Sequence, residues 1–175
     1  MAALGARAFD ARLNGIVLAL LAGNTLYFGY SGRFSEALDS IAWYVLLILF
    51  MIETARARPL CAAHGFTWMH ALRALATLAI AASLVLYVRE QEWLDAANLF
   101  LWIAVVALLE IEMRYPAQVA AHHRQFAATA TLLYGALGVL VLIWLARHEW
   151  MDAWDAAIWL AAFGLLELRI LATDT

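Results

Sequence analysis

Six long apolar runs follow one another along the chain, separated by breaks of only a few polar residues. The runs cover roughly 14–32, 37–55, 70–88, 93–112, 125–146 and 150–171. The breaks read "SGRFSE", "ARARPLCAAHGF", "VREQE", "RYPAQVAAHHRQ" and "RHE", which pack charge, Gly or Pro between the runs. The longest runs exceed a soluble core strand and match the length that crosses hydrocarbon, about 20 residues. Inside lipid every backbone N–H and C=O must be paired within the segment, so the runs predict helices. A membrane barrel would need alternating strands of about ten residues, and the chain has none. The predicted fold class is therefore an all-α polytopic membrane protein of six transmembrane helices, with the first run a permanent span and not a cleaved leader.

The runs also repeat. The stretch "EWLDAANLFLWIAVVALLE", from Glu92 to Glu110, returns as "EWMDAWDAAIWLAAFGLLE", from Glu149 to Glu167, with nine of nineteen positions identical. A shift of 57 residues maps Glu53 onto Glu110 and Glu110 onto Glu167, and also Pro59 onto Pro116, Asp95 onto Asp152 and Trp102 onto Trp159. Apolar helices share Leu and Ala by chance, but shared Glu, Asp and Trp point to descent from one unit. The expectation is three tandem helical hairpins of about 57 residues, at approximately 1–58, 59–115 and 116–175, within a single membrane domain. All three copies have the same orientation, which predicts a parallel repeat with a pseudo-threefold axis along the membrane normal.

Composition agrees with this class. The 175 residues are 66% hydrophobic and 14% charged, outside the range of ordinary soluble domains. The single Cys61 forms no internal disulfide. All eleven basic residues are Arg, scattered at helix ends with no basic stripe, which excludes nucleic acid as a partner.

The charge distribution gives an orientation. Arg7, Arg12, Arg56, Arg58, Arg73, Arg114, Arg124 and Arg169 fall on one side, against Arg33, Arg89 and Arg147 on the other. By the positive-inside rule both termini are expected in the cytoplasm of a bacterial inner membrane. Trp43, Trp93, Trp144, Trp150 and Trp154 lie towards the opposite, acidic rim, as an aromatic belt would.

The candidate functional residues are the repeated acids. Fourteen uncharged residues separate Asp95 from Glu110, about 22 Å of helix against a hydrocarbon core near 30 Å, so an acid is drawn below the interface. In one role Asp39, Asp95 and Asp152 cap helix starts, while Glu53 pairs with Arg56 and Glu110 with Arg114 on one helix face. In the other role Glu53, Glu110 and Glu167 converge on the pseudo-threefold axis as a cation-attracting ring or proton path. Trp102 and Trp159 occupy equivalent mid-span positions suited to inward or partner packing. His64, His122 and His123 form a weak metal candidate whose spacing fits no standard zinc motif. Asn24, Thr25, Thr77, Ser83, Asn98, Thr129 and Thr131 are expected to bond between helices. Gly15, Gly23, Gly135 and Gly138 are expected to permit close helix approach.

No nucleotide, nucleophile or metalloprotease motif is present, and the loops leave no room for a soluble catalytic domain. The chain reads first as a non-enzymatic accessory, assembly or scaffold subunit that packs laterally against other membrane subunits or copies of itself. A small cation or proton channel or transporter is the alternative, and a membrane-embedded enzyme the third reading. No cofactor is expected beyond bound lipid.

Overall fold

A computed structural model describes residues 2–56 and 66–173, with side chains described over 15–52, 68–112 and 114–164. The protein is all-helical among these residues. The elements are α1 (Ala2–Ser31), α2 (Phe34–Arg56), α3 (Phe66–Glu90), α4 (Trp93–Arg114), α5 (Pro116–Ala121), α6 (His123–Ala146) and α7 (Trp150–Thr173). Four spans within them are long and apolar enough to cross a membrane: Phe34–Ile52, Trp68–Glu90, Trp93–Glu112 and His123–Ala146. At 1.5 Å per residue their 19 to 24 residues run about 28–36 Å, which matches a hydrocarbon core. Few of their side chains are buried, and Leu78, Leu132 and Leu142 are 67%, 74% and 64% exposed. Such side chains would be a liability in water and are the natural surface of a helix in lipid. These are the features of a helical membrane protein.

Two differences from the sequence expectation concern boundaries. The break "RYPAQVAAHHRQ" contains α5, because Pro116 sits at the first helical turn, where its missing N–H costs nothing. α2 starts at Phe34, earlier than the apolar run suggests, because Glu36 supplies the cap that apolarity does not. Its Oε2 accepts the Arg33 backbone N–H at 3.0 Å while its Oε1 accepts Arg33 Nε at 2.8 Å. Asp39 therefore lies a turn further into the helix than a capping acid would. Glu36, Asp95 and Asp152 are the acids in the first turns of α2, α4 and α7.

The chain divides into two compact units, Met1–Glu92 and Trp93–Thr175, a border that falls inside the middle repeat. In the first, α2 packs against both α1 and α3. Leu21, Leu49, Ala76 and Ile80 are buried there, and Ser40 Oγ donates to Thr25 Oγ1 across α1 and α2 at 3.1 Å. In the second, α6 packs against both α4 and α7. Its core joins Leu140, Trp144, Ala153 and Ala156, with Leu94 and Leu101 of α4 against them. Trp144 is thus a core residue and not part of an aromatic rim. Trp93, Trp150 and Trp154 are exposed, as rim residues are.

Most intramembrane hydroxyls do not bridge helices. Thr77, Ser83, Thr129 and Thr131 each donate to the carbonyl four residues back, at 2.8–3.0 Å. A hydroxyl in an apolar setting needs an acceptor, and its own helix offers the nearest one. Thr25, which donates to Leu21 O at 2.9 Å, also accepts from Ser40 across α1 and α2. The glycines differ from expectation too. A Cβ added at Gly15, Gly23, Gly135 or Gly138 would meet nothing within 4 Å, so none permits a close approach here.

Candidate functional site

Polar chemistry concentrates at the short turns. The first, between α1 and α2, is Gly32-Arg33; the second, between α3 and α4, is Gln91-Glu92; the third, between α6 and α7, is Arg147-His148-Glu149. The second and third have the same backbone. Gln91 and His148 take left-handed conformations, with φ of 60° and 62°. Glu92 N–H reaches back to Tyr87 O at 2.9 Å and Glu149 N–H to Trp144 O at 3.0 Å. Gln91 N–H and His148 N–H bond Val88 O and Leu145 O at 3.3 and 3.2 Å. Both are Schellman endings, which satisfy the last carbonyls of a helix, and they lie 57 residues apart. The first turn is built otherwise. A Cβ at Gly32 would stand 2.6 Å from Phe28 O and 2.7 Å from Glu36 Oε2, so only glycine fits between the helix end and the capping acid.

Within the first unit the first two turns are bonded together. Arg33 reaches Glu92 as well as Glu36. Ser35, fully buried, donates from Oγ to Glu90 Oε2 at 2.6 Å. Tyr87 Oη lies 3.5 Å from Asp39 Oδ2. The hydrogen bond to Glu92 outweighs the partial burial that opposes it and, with Glu36, holds the Arg33 guanidinium charged even more firmly than usual. Arg33 is therefore a permanent cation at any pH below the ordinary Arg range.

Of the three repeated Glu residues, Glu110 is the one whose side chain is described. Glu110 accepts Arg114 Nε at 2.6 Å, an i,i+4 pair whose side chains are 46% and 69% exposed, so it is a surface pair and not a buried one. The side chains of Glu53, Arg56 and Glu167 lie outside the described residues. So does His64. His122 and His123 are exposed at the junction of α5 and α6, with His122 Nδ1 3.1 Å from Gln118 O. Among the described residues no three His, Cys, Asp or Glu side chains gather as a metal site needs.

Trp102 and Trp159 meet. Trp102 on α4 is buried, with its ring centroid 6.3 Å from Trp159 and 4.9 Å from Phe163, both on α7. Trp159 and Phe163 are themselves 6.3 Å apart. The three tilted rings join two helices at a depth where no polar group could do so without a partner.

Comparison with known protein families, characterised proteins and solved structures finds no match for this chain. Its chemistry has to be argued from its own residues. Sequence reasoning missed Ser35, Glu90 and Glu92 as a bonded group. Their partners are 55 and 59 residues apart, a separation with no local signature.

Proposed function

We propose that this chain is a six-span protein of the bacterial cytoplasmic membrane, with both termini in the cytoplasm, and that it works by lateral packing as an accessory, assembly or scaffold subunit of a membrane complex. The observation that carries this reading is the contrast between committed charges and uncommitted apolar faces. Arg33, Glu36, Glu90, Glu92, Glu110 and Arg114 are bonded to one another or to Ser35. Leu26, Leu78, Leu132 and Leu142 are exposed on helices that carry little polar surface. A surface of that kind meets lipid or another helix, and its polar groups stabilise the fold.

The six-span count is supported by α1 and α7, of 30 and 24 residues, beside the four spans above. The threefold repeat is supported by the matching Schellman endings 57 residues apart. The orientation is supported by eight Arg against three. Purification from native membranes in mild detergent, at natural copy number, tests the function. Stoichiometric membrane subunits are expected to co-elute. A chain that runs alone as a monomer at every detergent ratio, and yields no cross-link to another membrane protein, sinks the proposal.

A further inference from the structure

Two charges of the second unit stand at its short turn between α6 and α7. Beside the third turn, α6 and α7 leave an apolar groove of about 480 Å³. Val141, Leu145, Met151, Trp154 and Ala157 line it, together with Trp150, the first residue after the turn. The His148 ring stands 5.6 Å from that of Trp150. The groove is open along one side, and its lining is almost wholly apolar.

The turn itself offers two charges. Arg147 and Glu149 are exposed and two residues apart. Among the described residues neither makes a side-chain hydrogen bond or ion pair. Under the 57-residue shift they occupy the positions of Glu90 and Glu92, which Ser35 and Arg33 hold. The third turn keeps the backbone of the second, loses its clamping neighbour, and exchanges one acid for a cation. It carries a cation and an anion two positions apart, in the turn that joins the two helices of the groove.

The complementary molecule is apolar along its length and carries an anion and a hydrogen-bonding cation at one end. We infer that the α6–α7 groove holds an acyl chain of a zwitterionic aminophospholipid, with its phosphate on Arg147 and its ammonium on Glu149. Arg is suited to phosphate because its planar fork donates two parallel bonds. A purely anionic headgroup would set charge against Glu149. A choline headgroup has no N–H to donate to it. Trp150 and Trp154 have the apolar body and polar edge that seat at headgroup depth. The inference rests on the membrane reading of the chain and not on its role as a subunit.

The test uses the full chain in nanodiscs of equal phosphatidylethanolamine, phosphatidylcholine and phosphatidylglycerol, with retained lipid read by native mass spectrometry. One phosphatidylethanolamine per chain is expected, favoured roughly tenfold over the other two, as one good charge-assisted bond would give. The double substitution R147Q/E149Q should bring the three within about twofold. Ala157→Phe should fill the groove and abolish retention with helicity unchanged. Should that variant misfold, a phosphatidylethanolamine bearing a photoreactive acyl chain reports on the wild-type chain, with cross-links expected at Val141, Leu145 or Met151. Equal retention of the three lipids, a preference for phosphatidylglycerol, selectivity that survives R147Q/E149Q, or cross-links confined to other helices would each overturn the inference. A helix of another protein captured in the groove would overturn it as well. A chain that never enters the nanodisc fails the membrane reading first, before any lipids are compared.

Discussion

The two units solve the same problem, joining three apolar helices, by different means. The first ties its turns together with charge: Arg33 to Glu36 and Glu92, and Ser35 to Glu90. The second contains one such turn, whose Arg147 and Glu149 stay open, and Trp102, Trp159 and Phe163 and the core around Leu140 and Trp144 join its helices. The difference follows from where the chain divides. A border after Glu92 gives the first unit two turns that can face each other and leaves the second with one. Polar bonding at a helix end needs a second helix end, whereas ring packing needs only facing helices.

Substitutions can break each half of that contrast separately. The largest effect is expected for Trp102→Ala, which empties a large buried volume and should cost about 3–5 kcal/mol. Hydrogen exchange should then rise in α4, α6 and α7 while α2 and α3 keep their protection. Next comes Gly32→Val, whose Cβ has no room beside Phe28 O; about 2–3 kcal/mol should be lost, with exchange rising in α1 and α2 only. Arg33→Gln removes both bonds to Glu36 and Glu92. Because Arg33 is half exposed, the expected loss is only about 1 kcal/mol, whereas Arg147→Gln should change thermal stability by less than about 0.5 kcal/mol. Equal losses for the two Arg variants would erase the distinction between the turns. The smallest effect is expected for Gly135→Ala, which meets no atom and adds helix propensity; it should stabilise by up to about 1 kcal/mol in a detergent melt.

Much of the helical layout was legible in the sequence, because apolar length alone marks a span and charged breaks mark its ends. The Glu110–Arg114 pair was legible for a similar reason, since four residues bring two side chains onto one helix face. What was not legible depends on tertiary placement. Nothing near Ser35 signals Glu90, and nothing near Arg33 distinguishes its nearby Glu36 from the distant Glu92. Trp144 sits close to a charged turn, so its position suggested a rim residue; only the packing of α6 between α4 and α7 buries it. The hydroxyls of Thr129 and Thr131 misled in the opposite sense. Their chemistry invited partners on another helix, and their own helix met the need.

The border after Glu92 also sets an order in time. The described packing partners of α2, on α1 and α3, have all been synthesised once Glu92 has emerged, as have Arg33, Ser35, Glu36, Glu90 and Glu92 of the clamp. Synthesis at roughly 5–20 residues per second leaves several seconds before α7 is complete. Nascent chains stalled well beyond Glu92 should already protect a Cys placed at Ser35 from labelling, whereas chains stalled before α3 is complete should not. Helix triplets that finish one after another are built for sequential membrane insertion, each leaving the insertion site before the next needs it.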